Sequence, residues 1–311
     1  MATMFKLSPL TRPVLRRPHF GAGVRRAQEA ELIEPLTVMG LRVDRLDGQQ
    51  VVRQIMGELD QARGGWVATP NLDILRMATS DQALHRLLGS ATLLLCDGAP
   101  LEWAGKISGQ GESPRAAGAS VFLLLVAEAA RQGRRVLLLG GRAGAGELAA
   151  RRLRELHPGL SVATHCPPWG FEHDAAEMEG VRRAIVDNES DIVFCGFGCP
   201  KQERLMAQLH PEFPRAWFLG VGGSIDFAAG LVPRAPEWIQ RMGHEWVFRL
   251  AVEPRRMARR YLVHDVPFAF VLFAWALQER MATMSTTRPD GRANRSISPP
   301  ASPERTMTEL C

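Results

Sequence analysis

The sequence predicts an α/β fold: a mainly parallel, Rossmann-like sheet with helices on both faces, followed by a C-terminal helical appendage. Short apolar strands alternate with helical segments along most of the chain, which is typical of a parallel sheet. Several of these strands run directly into glycine-rich loops. From about residue 234 the alternation stops and arginine-rich helical segments follow.

The first half of the chain contains three predicted strands and two predicted helices. The strands are 36–43, with alternating apolar residues, then 66–69 and 91–96. The segment 44–63 places its apolar residues on one helical face, and 72–88 is predicted as one continuous helix. The strand at 91–96 is apolar throughout, which predicts burial on both faces, and it ends at Asp97-Gly98, a turn signal.

The second half repeats the alternation. Predicted strands cover 135–139, 161–164, 191–195 and 217–221, and predicted helices cover 147–157, 175–188 and 201–209. We expect right-handed crossovers between the parallel strands. Beyond them, 236–250 and 254–262 are predicted helices, the second begun by Pro254 in its first turn.

Composition is that of a globular protein, with 311 residues, 46% of them hydrophobic, and a net charge of +5. We predict four parts: a disordered basic leader at 1–30, a catalytic core at 31–240, a membrane-associating helical appendage at 241–280, and a disordered tail at 281–311. The leader has six basic residues and no acidic one before residue 28. It is compatible with an organellar transit segment or with a tail that touches anionic lipid.

The apolar run 266–277 has two interpretations of equal weight. With 12 residues it is too short to span a bilayer, so no transmembrane helix is expected. It suits either a helix lying in the membrane interface or a helix docked on the core. No secretory signal is expected, because prolines and arginines interrupt the N-terminal segment.

The five cysteines do not form a regular framework. An odd number in a chain of this size favours reduced thiols and a cytoplasmic location. Cys195 and Cys199 lack the second pair that a zinc site needs, so buried or incidental thiols are the better interpretation.

The loops after two strands predict a ligand site. One strand ends in 196–203, which contains Lys201, Gln202 and Glu203, and another ends in the glycine-rich 220–223. Ligands of open α/β sheets bind outside the carboxyl ends of strands, and glycine lets the backbone approach them closely. The arginines that follow suit an anionic ligand. Glu203 has a second interpretation, as a first-turn acid that stabilises its own helix.

An ordered series of motifs between about residues 36 and 262 resembles the WecG/TagA/CpsF family of bacterial glycosyltransferases. The motifs are 69–73 (TPNLD), 97–103 (DGAPLEW), 115–118 (RAAG), 200–203 (PKQE), 220–223 (GVGG) and 234–236 (RAP). The resemblance implies transfer of a sugar from a UDP-sugar to a lipid-linked acceptor.

The resemblance assigns roles to residues that the pattern alone leaves open. Asp97 is by itself more typical of a plain Asp-Gly turn, but the resemblance implies that it is the catalytic base. Thr69 and Asn71 end a strand, and Asn71 suits a helix cap; the resemblance places both in the donor pocket. It also implies that the appendage attaches to the membrane and brings arginines to the site. The predicted substrate-binding residues are Thr69, Asn71, Gly98, Gly140, Gly141, Gly196, Lys201, Gln202, Gly222, Gly223, Arg249 and Arg256.

The chain departs from the family pattern at two positions. Pro100 stands where a second glycine is commoner, which affects the shape of the acceptor pocket. Ser120 stands where an aspartate is frequent, so any role of that acid is lost.

The loop 140–146 resembles a phosphate-binding loop at a helix start. Its spacing, GGxxGxG, differs from the dinucleotide fingerprint, which argues against a nicotinamide enzyme. No Asp-x-Asp pair is present, so a reaction without a metal is expected, with arginines neutralising the leaving group.

The sequence therefore predicts an inverting, metal-independent hexosyltransferase without a cofactor. Its partners would be a UDP-sugar donor, a polyprenyl-diphosphate-linked saccharide acceptor and the inner face of the cytoplasmic membrane. No nucleic acid is expected, and a homo-oligomer is possible. The alternatives are a nucleotide-dependent oxidoreductase and a non-catalytic scaffold of a polysaccharide machine.

Overall fold

The computed structural model describes residues 34–286. The predicted leader 1–30 and the chain beyond 286, which holds most of the predicted tail, lie outside the described residues. The backbones of Arg241, Arg256 and Thr286 are described, but their side chains are not.

The centre of the fold is a six-stranded parallel sheet with strand order β4-β3-β8-β7-β5-β6. A separate two-stranded antiparallel hairpin, β1-β2, turns through Met39 and Gly40, which both have positive φ. The strands are β1 (Leu36–Val38), β2 (Leu41–Val43), β3 (Gly65–Ala68), β4 (Leu93–Leu94), β5 (Arg135–Gly140), β6 (Ser161–His165), β7 (Ile192–Gly196) and β8 (Trp217–Gly220). The predicted α/β fold is confirmed.

Helices follow almost every strand. Those of the core are α1 (Gly48–Asp60), α2 (Leu72–Ser80), α3 (Gln82–Gly89), α4 (Ala99–Ile107), α5 (Gly118–Gln132), α6 (Ala145–Leu156), α7 (Ala175–Asp187), α8 (Lys201–Leu209) and α9 (Ser224–Ala228). Those of the appendage are α10 (Glu237–Arg241), α11 (Glu245–Val252), α12 (Pro254–Ala258), a π-helix (Arg259–Asp265) and α13 (Val266–Thr286).

Two hydrophobic cores lie on opposite faces of the sheet, because alternate residues of each buried strand point to opposite sides. In β7, Val193 and Cys195 belong to one core and Ile192 and Phe194 to the other. Helices α2, α3, α4, α7, α8 and α13 cover the first face, and α1, α5, α6 and α9 cover the second. The predicted arrangement of helices on both faces is confirmed.

The helices after neighbouring strands alternate between the two faces. Along β3, β8, β7 and β5, the following helices α2, α9, α8 and α6 lie on the first, second, first and second face. Connections that leave adjacent strands in opposite directions open a crevice at the carboxyl ends of those strands. We call the resulting crevice above β3, β8, β7 and β5 the central groove.

Two helices differ from their predicted bounds because of aspartate caps. The predicted helix 44–63 begins only at Gly48, since Asp47 and Gln50 form a reciprocal capping box. The predicted helix 72–88 is interrupted at Asp81, whose carboxylate accepts hydrogen bonds from the amides of Ala83 and Leu84 and starts a new helix. The helices α4 and α5 were not predicted.

The appendage is more continuous than the sequence predicts. The predicted helix 236–250 is broken at Gly243, which has a positive φ. In contrast, helical backbone runs without interruption from α12 into α13. Pro267 has no amide hydrogen to donate in the first turn of α13, and the preceding turns have π geometry, a usual accommodation to proline. The helix also extends six residues into the predicted tail, as far as Thr286.

No helix long enough to span a bilayer was expected, because the apolar run 266–277 is short. The helix that contains this run is longer than the run, and the expectation was wrong. Among residues 34–286, the segment Arg259–Ser285 is long and apolar enough to cross a membrane, by length and composition alone. One side of it is nevertheless docked, since Phe268, Leu272 and Ala276 are buried in the first core. The opposite side, including Phe270 and Val271, is exposed.

Candidate functional site

Asp97 lies at the end of the central groove, three residues after β4. Its amide donates a hydrogen bond to the carbonyl of Pro70, which holds it beside the loop after β3 (3.2 Å). Its Oδ2 accepts a hydrogen bond from the amide of Gly118, the first residue of α5 (3.4 Å). Gly98 follows with φ 115°, a conformation that only glycine adopts readily, and starts α4. The carboxylate is therefore fixed between two helix N-termini.

The surroundings of Asp97 change its acidity. Loss of water around the carboxylate is the main cause that raises its pKa, to about 6. Glu245 on α11 raises this pKa further, whereas the amide of Gly118 and the guanidinium groups of Arg249 and Arg115 lower it. The result is a carboxylate that is ionised near neutral pH and is more basic than an ordinary aspartate, as general base catalysis requires.

Thr69 packs against the same helix start. It is buried after β3, and its Oγ1 would lie 2.9 Å from a Cβ placed on Gly118, with the carbonyl oxygen of Gly220 close by at 3.6 Å. The absence of a side chain at Gly118 thus lets α5 approach β3 and β8. The structure brings Asp97, Thr69 and the end of β8 together around the start of α5.

Asn71 performs the capping role that its sequence position suggests. Its Oδ1 accepts a hydrogen bond from the amide of Ile74 in α2 (3.2 Å). The same oxygen also accepts a hydrogen bond from Nη2 of Arg260 in the π-helix (3.4 Å). Asn71 therefore connects the end of β3 to the appendage, and a role in the donor pocket stays a prediction.

The loop after β8 lies next to Arg249. Nη2 of Arg249 would be 3.8 Å from a Cβ placed on Gly223, and the guanidinium of Arg249 lies over the ring of Phe227 (5.3 Å). Above Gly222 no atom stands within 4 Å of the position that a Cβ would take, so the backbone there faces open space. The structure thus places Arg249 beside the two glycines, as an anion site in this loop would need. The side chain of Arg256 lies outside the described atoms.

Gln202 joins two of the glycine loops. Its side chain is only 4% exposed, and its Oε1 accepts hydrogen bonds from the amides of Gly198 and Gly222 (both 3.1 Å). Its Nε2 donates to Oε1 of Glu203 (2.9 Å). Both ends of the amide are engaged within the protein. Gln202 therefore joins the loops after β7 and β8 and sets their separation, and its direct contact with the donor stays a prediction.

The loop at 140–146 differs from an open phosphate loop. The amide of Gly141 donates to the carbonyl of Gly196 (3.0 Å), and the amide of Arg142 donates to Oδ1 of Asp226 (3.3 Å). Ile225 fills the space beside Gly141 and Gly196. Two amides of this loop are thus engaged, and the Asp226 carboxylate also pairs with Nε of Arg142 (3.2 Å). The contact of Gly140 and Gly141 with the substrate stays a prediction.

Lys201 lies at the far side of the same loops. Its Nζ pairs with Glu172 (2.6 Å) and lies over the rings of Trp169, Phe171 and Phe197. Phe197 in turn packs against Gly140, where a Cβ would stand 2.7 Å from the ring. Lys201 is thus held in an aromatic cage near β5 and β7, away from Asp97.

Arg115 ties the appendage to the site. Its Nη1 donates to the carbonyl of Gln240 (2.9 Å), and Gly243 packs closely against Ala99 of α4.

The sequence analysis did not predict Arg115, Gly118 and Glu245 as site residues. Arg115 and Gly118 lie in the quoted RAAG motif and were therefore detectable, whereas Glu245 reaches Asp97 only through the folding of α11.

Ser120 contacts an arginine. Nη2 of Arg234 donates to its Oγ (2.7 Å). The hydroxyl therefore occupies the place where the commoner aspartate would form an ion pair, and it leaves the charge of Arg234 without an acid at this position.

The thiols and acids do not gather into a metal-binding group within the described part of the chain. Cys195 is buried in β7, where burial raises its pKa, and Cys199 is partly buried nearby. Both fit the interpretation as buried or incidental thiols.

Two known proteins that resemble this chain are named as sugar transferases. The chain is 29% identical over 201 residues to the N-acetylglucosaminyldiphosphoundecaprenol N-acetyl-beta-D-mannosaminyltransferase of Bacillus subtilis (strain 168), covering 65% of this chain and 77% of the relative. It is 31% identical over 201 residues to the protein of the same name from Bacillus spizizenii (strain ATCC 23059 / NRRL B-14472 / W23), covering 65% and 76%. Both names describe transferases, which decides against the oxidoreductase alternative.

The profile of one protein family matches residues 36–282, which comprise both the α/β core and most of the appendage. That range contains Asp97, the glycine loops after β7 and β8, and Arg249. The chain belongs to the glycosyl transferase WecG/TagA/CpsF family and is a glycosyltransferase.

Proposed function

We propose that this glycosyltransferase moves a hexose-type sugar from a UDP-sugar to a saccharide linked to a polyprenyl diphosphate, with inversion and without a metal ion. The observation that carries the proposal is Asp97, a rigidly held and desolvated carboxylate between the N-termini of α4 and α5. The product would serve the synthesis of a cell-surface or exported polysaccharide.

In the proposed reaction, Asp97 takes the proton of the acceptor hydroxyl. The acceptor oxygen then forms a bond to the anomeric carbon of the donor, on the face opposite UDP. The bond between that carbon and the phosphate oxygen breaks, and UDP leaves with the electron pair. A single displacement of this kind inverts the anomeric configuration. The proton ends on the carboxylate of Asp97.

The leaving diphosphate gains negative charge as the bond breaks, and cationic groups stabilise it. Arg249 is suited to this role, because it lies beside Gly223 and next to the open space above Gly222. We extend the role to Arg256, which lies seven positions further along the chain in α12.

We propose one orientation of the donor in the groove. The sugar would lie near Asp97 and Thr69 above β3, and the diphosphate near Arg249 above β8. The uridine would then extend toward β7 and β5, about 14 Å from β3 at the usual strand spacing. There Asp226 lies beside the Gly141 loop, with its carboxylate held by the amide (3.3 Å) and Nε (3.2 Å) of Arg142.

The names of the relatives support the acceptor class. Both are named as transferring an N-acetylmannosaminyl group to N-acetylglucosaminyldiphosphoundecaprenol, a lipid-linked diphosphate. We propose the same class of acceptor here and leave the sugar to experiment.

An acceptor of this kind is embedded in a membrane, so the enzyme would act at the inner face of the cytoplasmic membrane. The exposed side of α13 supports a peripheral attachment, because Phe270, Val271 and Leu277 project from it while the other side is docked. Exposed apolar side chains that form one face of a docked helix suit contact with the apolar part of a membrane.

The test is a screen of UDP-sugars with a short-chain polyprenyl-diphosphate saccharide, with the product identified by mass and its anomeric configuration by NMR. We expect one UDP-sugar to give a product of inverted configuration, with the same yield in the presence of EDTA. Absence of any product across the screen would contradict the proposal. A retained configuration would refute the single displacement.

A further inference from the structure

A cationic cleft lies beside the central groove, between α2 and the π-helix. It is an open cleft of about 340 Å³ that is lined by Asp73, Arg76, Arg259, Arg260 and His264. Ligand pockets range from roughly 300 to 1,000 Å³, so the cleft is large enough for a diphosphate group. None of the roles described above uses it.

Positive charge exceeds negative charge in this cleft. Arg76 pairs with Asp73 (2.6 Å), and Arg260 pairs with the same carboxylate (2.9 Å). Asp265 adds a second acid at longer range, 3.9 Å from Nε of Arg76 and 3.8 Å from Nε of Arg260. Arg259 is exposed, and it has no ion pair with any residue that the structure describes. Three guanidinium groups thus face two carboxylates.

The internal pairing is also incomplete. Within residues 34–286, Oδ1 of Asp265 and Nε of Arg76 are both buried without a hydrogen bond. Burial is the main cause that raises the pKa of Asp265 to about 6, with Asp73 adding to it. Protonation of this acid below about pH 6 would leave the arginines with more uncompensated charge, which favours an anionic ligand.

The cleft adjoins the reaction centre. Arg260, which lines it, reaches Oδ1 of Asn71 at the end of β3 (3.4 Å). Asn71 follows Pro70, whose carbonyl accepts the amide of Asp97. The cleft and Asp97 therefore contact neighbouring residues of the same loop, the one that follows β3.

The other side of the cleft adjoins exposed apolar surface. Leu262, Val263 and Val266 follow Arg259 on the same helical segment, and all three are exposed. Guanidinium groups at the edge of an apolar helix surface are suited to a phosphate that is carried on a lipid chain.

We propose that this cleft binds the diphosphate of the lipid-linked acceptor, separately from the donor diphosphate near Arg249. The lipid chain would run along the exposed apolar residues of the helix, and the saccharide would enter the central groove. The inference rests on the proposed function for its ligand. A phospholipid headgroup carries the same phosphate chemistry and is the competing source.

The test measures binding rather than turnover. The full chain in neutral detergent micelles is titrated with a short-chain polyprenyl diphosphate that has no sugar, with the matching polyprenyl alcohol, and with UDP. The variants are Arg259→Gln and Arg259→Glu, and the matched control is Arg183→Gln, an exposed arginine on α7. Circular dichroism verifies that each variant is folded.

We expect Arg259→Gln to weaken diphosphate binding about tenfold, the size of one charge-assisted hydrogen bond. Arg259→Glu should weaken it further, while Arg183→Gln, alcohol binding and UDP binding stay unchanged. Equal diphosphate affinity in wild type and both Arg259 variants would overturn the inference. So would an equal loss of UDP affinity, because the cleft would then belong to the donor.

A second experiment tests whether the cleft binds a phospholipid headgroup instead. Vesicles with and without anionic phospholipid are mixed with the same variants. If the Arg259 variants lost only their binding to anionic vesicles and kept wild-type affinity for the diphosphate in micelles, the cleft would hold phospholipid and the inference would be wrong. Failure of the UDP-sugar screen with this binding intact would instead contradict the proposed function alone.

Discussion

The amide of Gly118 donates a hydrogen bond to Oδ2 of Asp97, and this contact joins the N-terminus of α5 to the carboxylate after β4. A helix N-terminus favours negative charge, so the contact stabilises ionised Asp97 against the desolvation that raises its pKa. It also fixes the direction of the carboxylate. A base that is held and only moderately desolvated is what the proposed displacement requires.

The pH dependence of the rate should report this carboxylate. Because the base must be ionised to accept a proton, we expect kcat/KM to rise with pH and to level off above about 6. Arg249 lowers the pKa of Asp97, so Arg249→Gln should move the rise to higher pH as well as reduce the rate. A flat profile between pH 5 and 8 would be inconsistent with Asp97 as the base.

The same carboxylate should destabilise the folded protein at neutral pH. The pKa of Asp97 is about 6 in the fold and 3.8 in its ordinary environment. The folded state therefore binds a proton more tightly, and stability falls as pH rises from about 4 to about 6. Asp97→Asn removes this dependence and should raise the free energy of unfolding by about 1–3 kcal/mol at pH 7.5.

Chemical denaturation at two pH values measures this effect. The advantage of Asp97→Asn should vanish below about pH 4, where both states of the wild type are protonated. Asp187→Asn, at an exposed acid that ends α7, should have no comparable effect. A variant that is less stable than wild type at pH 7.5 would refute the account.

Gln202→Ala should separate the positioning role from direct contact with the donor. It leaves the amides of Gly198 and Gly222 without their buried acceptor, at a cost of about 1–3 kcal/mol in the free energy of unfolding. We expect a lower Tm together with a higher KM for the UDP-sugar, because the loops lose their fixed separation. Gln208→Ala, on the exposed side of the same helix, is the control. A raised KM with unchanged Tm would support the direct contact.

Membrane attachment should depend on the exposed side of α13. Phe270 is 72% exposed, and burial of a phenylalanine side chain contributes about 1.5–3 kcal/mol, so Phe270→Ser should weaken vesicle binding about tenfold. Leu156→Ser, at an exposed leucine of α6, should leave vesicle binding unchanged. Co-sedimentation with vesicles measures both. Deleting the whole appendage is a poorer experiment, because Phe268, Leu272 and Ala276 belong to the core.

Much of the fold could be predicted from the sequence, because buried strands and one-sided helices leave regular patterns. The strands β5 to β8 lie close to their predicted positions. Strand order was not predictable, since pairing depends on contacts between segments far apart in the chain. The break at Asp81 and the continuous passage through Pro267 depend on local hydrogen bonding that periodicity does not reveal.

The site was predictable in its residues more than in their roles. A motif contains Asp97, and the structure brings Arg249 near enough to lower its pKa, while the roles of both residues in the reaction stay predictions. Gln202 was predicted from its motif, but its hydrogen bonds to the amides of Gly198 and Gly222 depend on the distance between two loops, which no motif encodes. The cationic cleft was missed because Arg76 and Arg260 are far apart in sequence and meet only when the π-helix packs on α2.

The central claim is that Asp97 deprotonates the acceptor, and the turnover of Asp97→Asn tests it most directly. With saturating UDP-sugar and lipid-linked acceptor, we expect kcat to fall about 10²–10⁴-fold, while UDP affinity and folding are retained and Asp187→Asn is unaffected. Undiminished kcat in folded Asp97→Asn would contradict the claim.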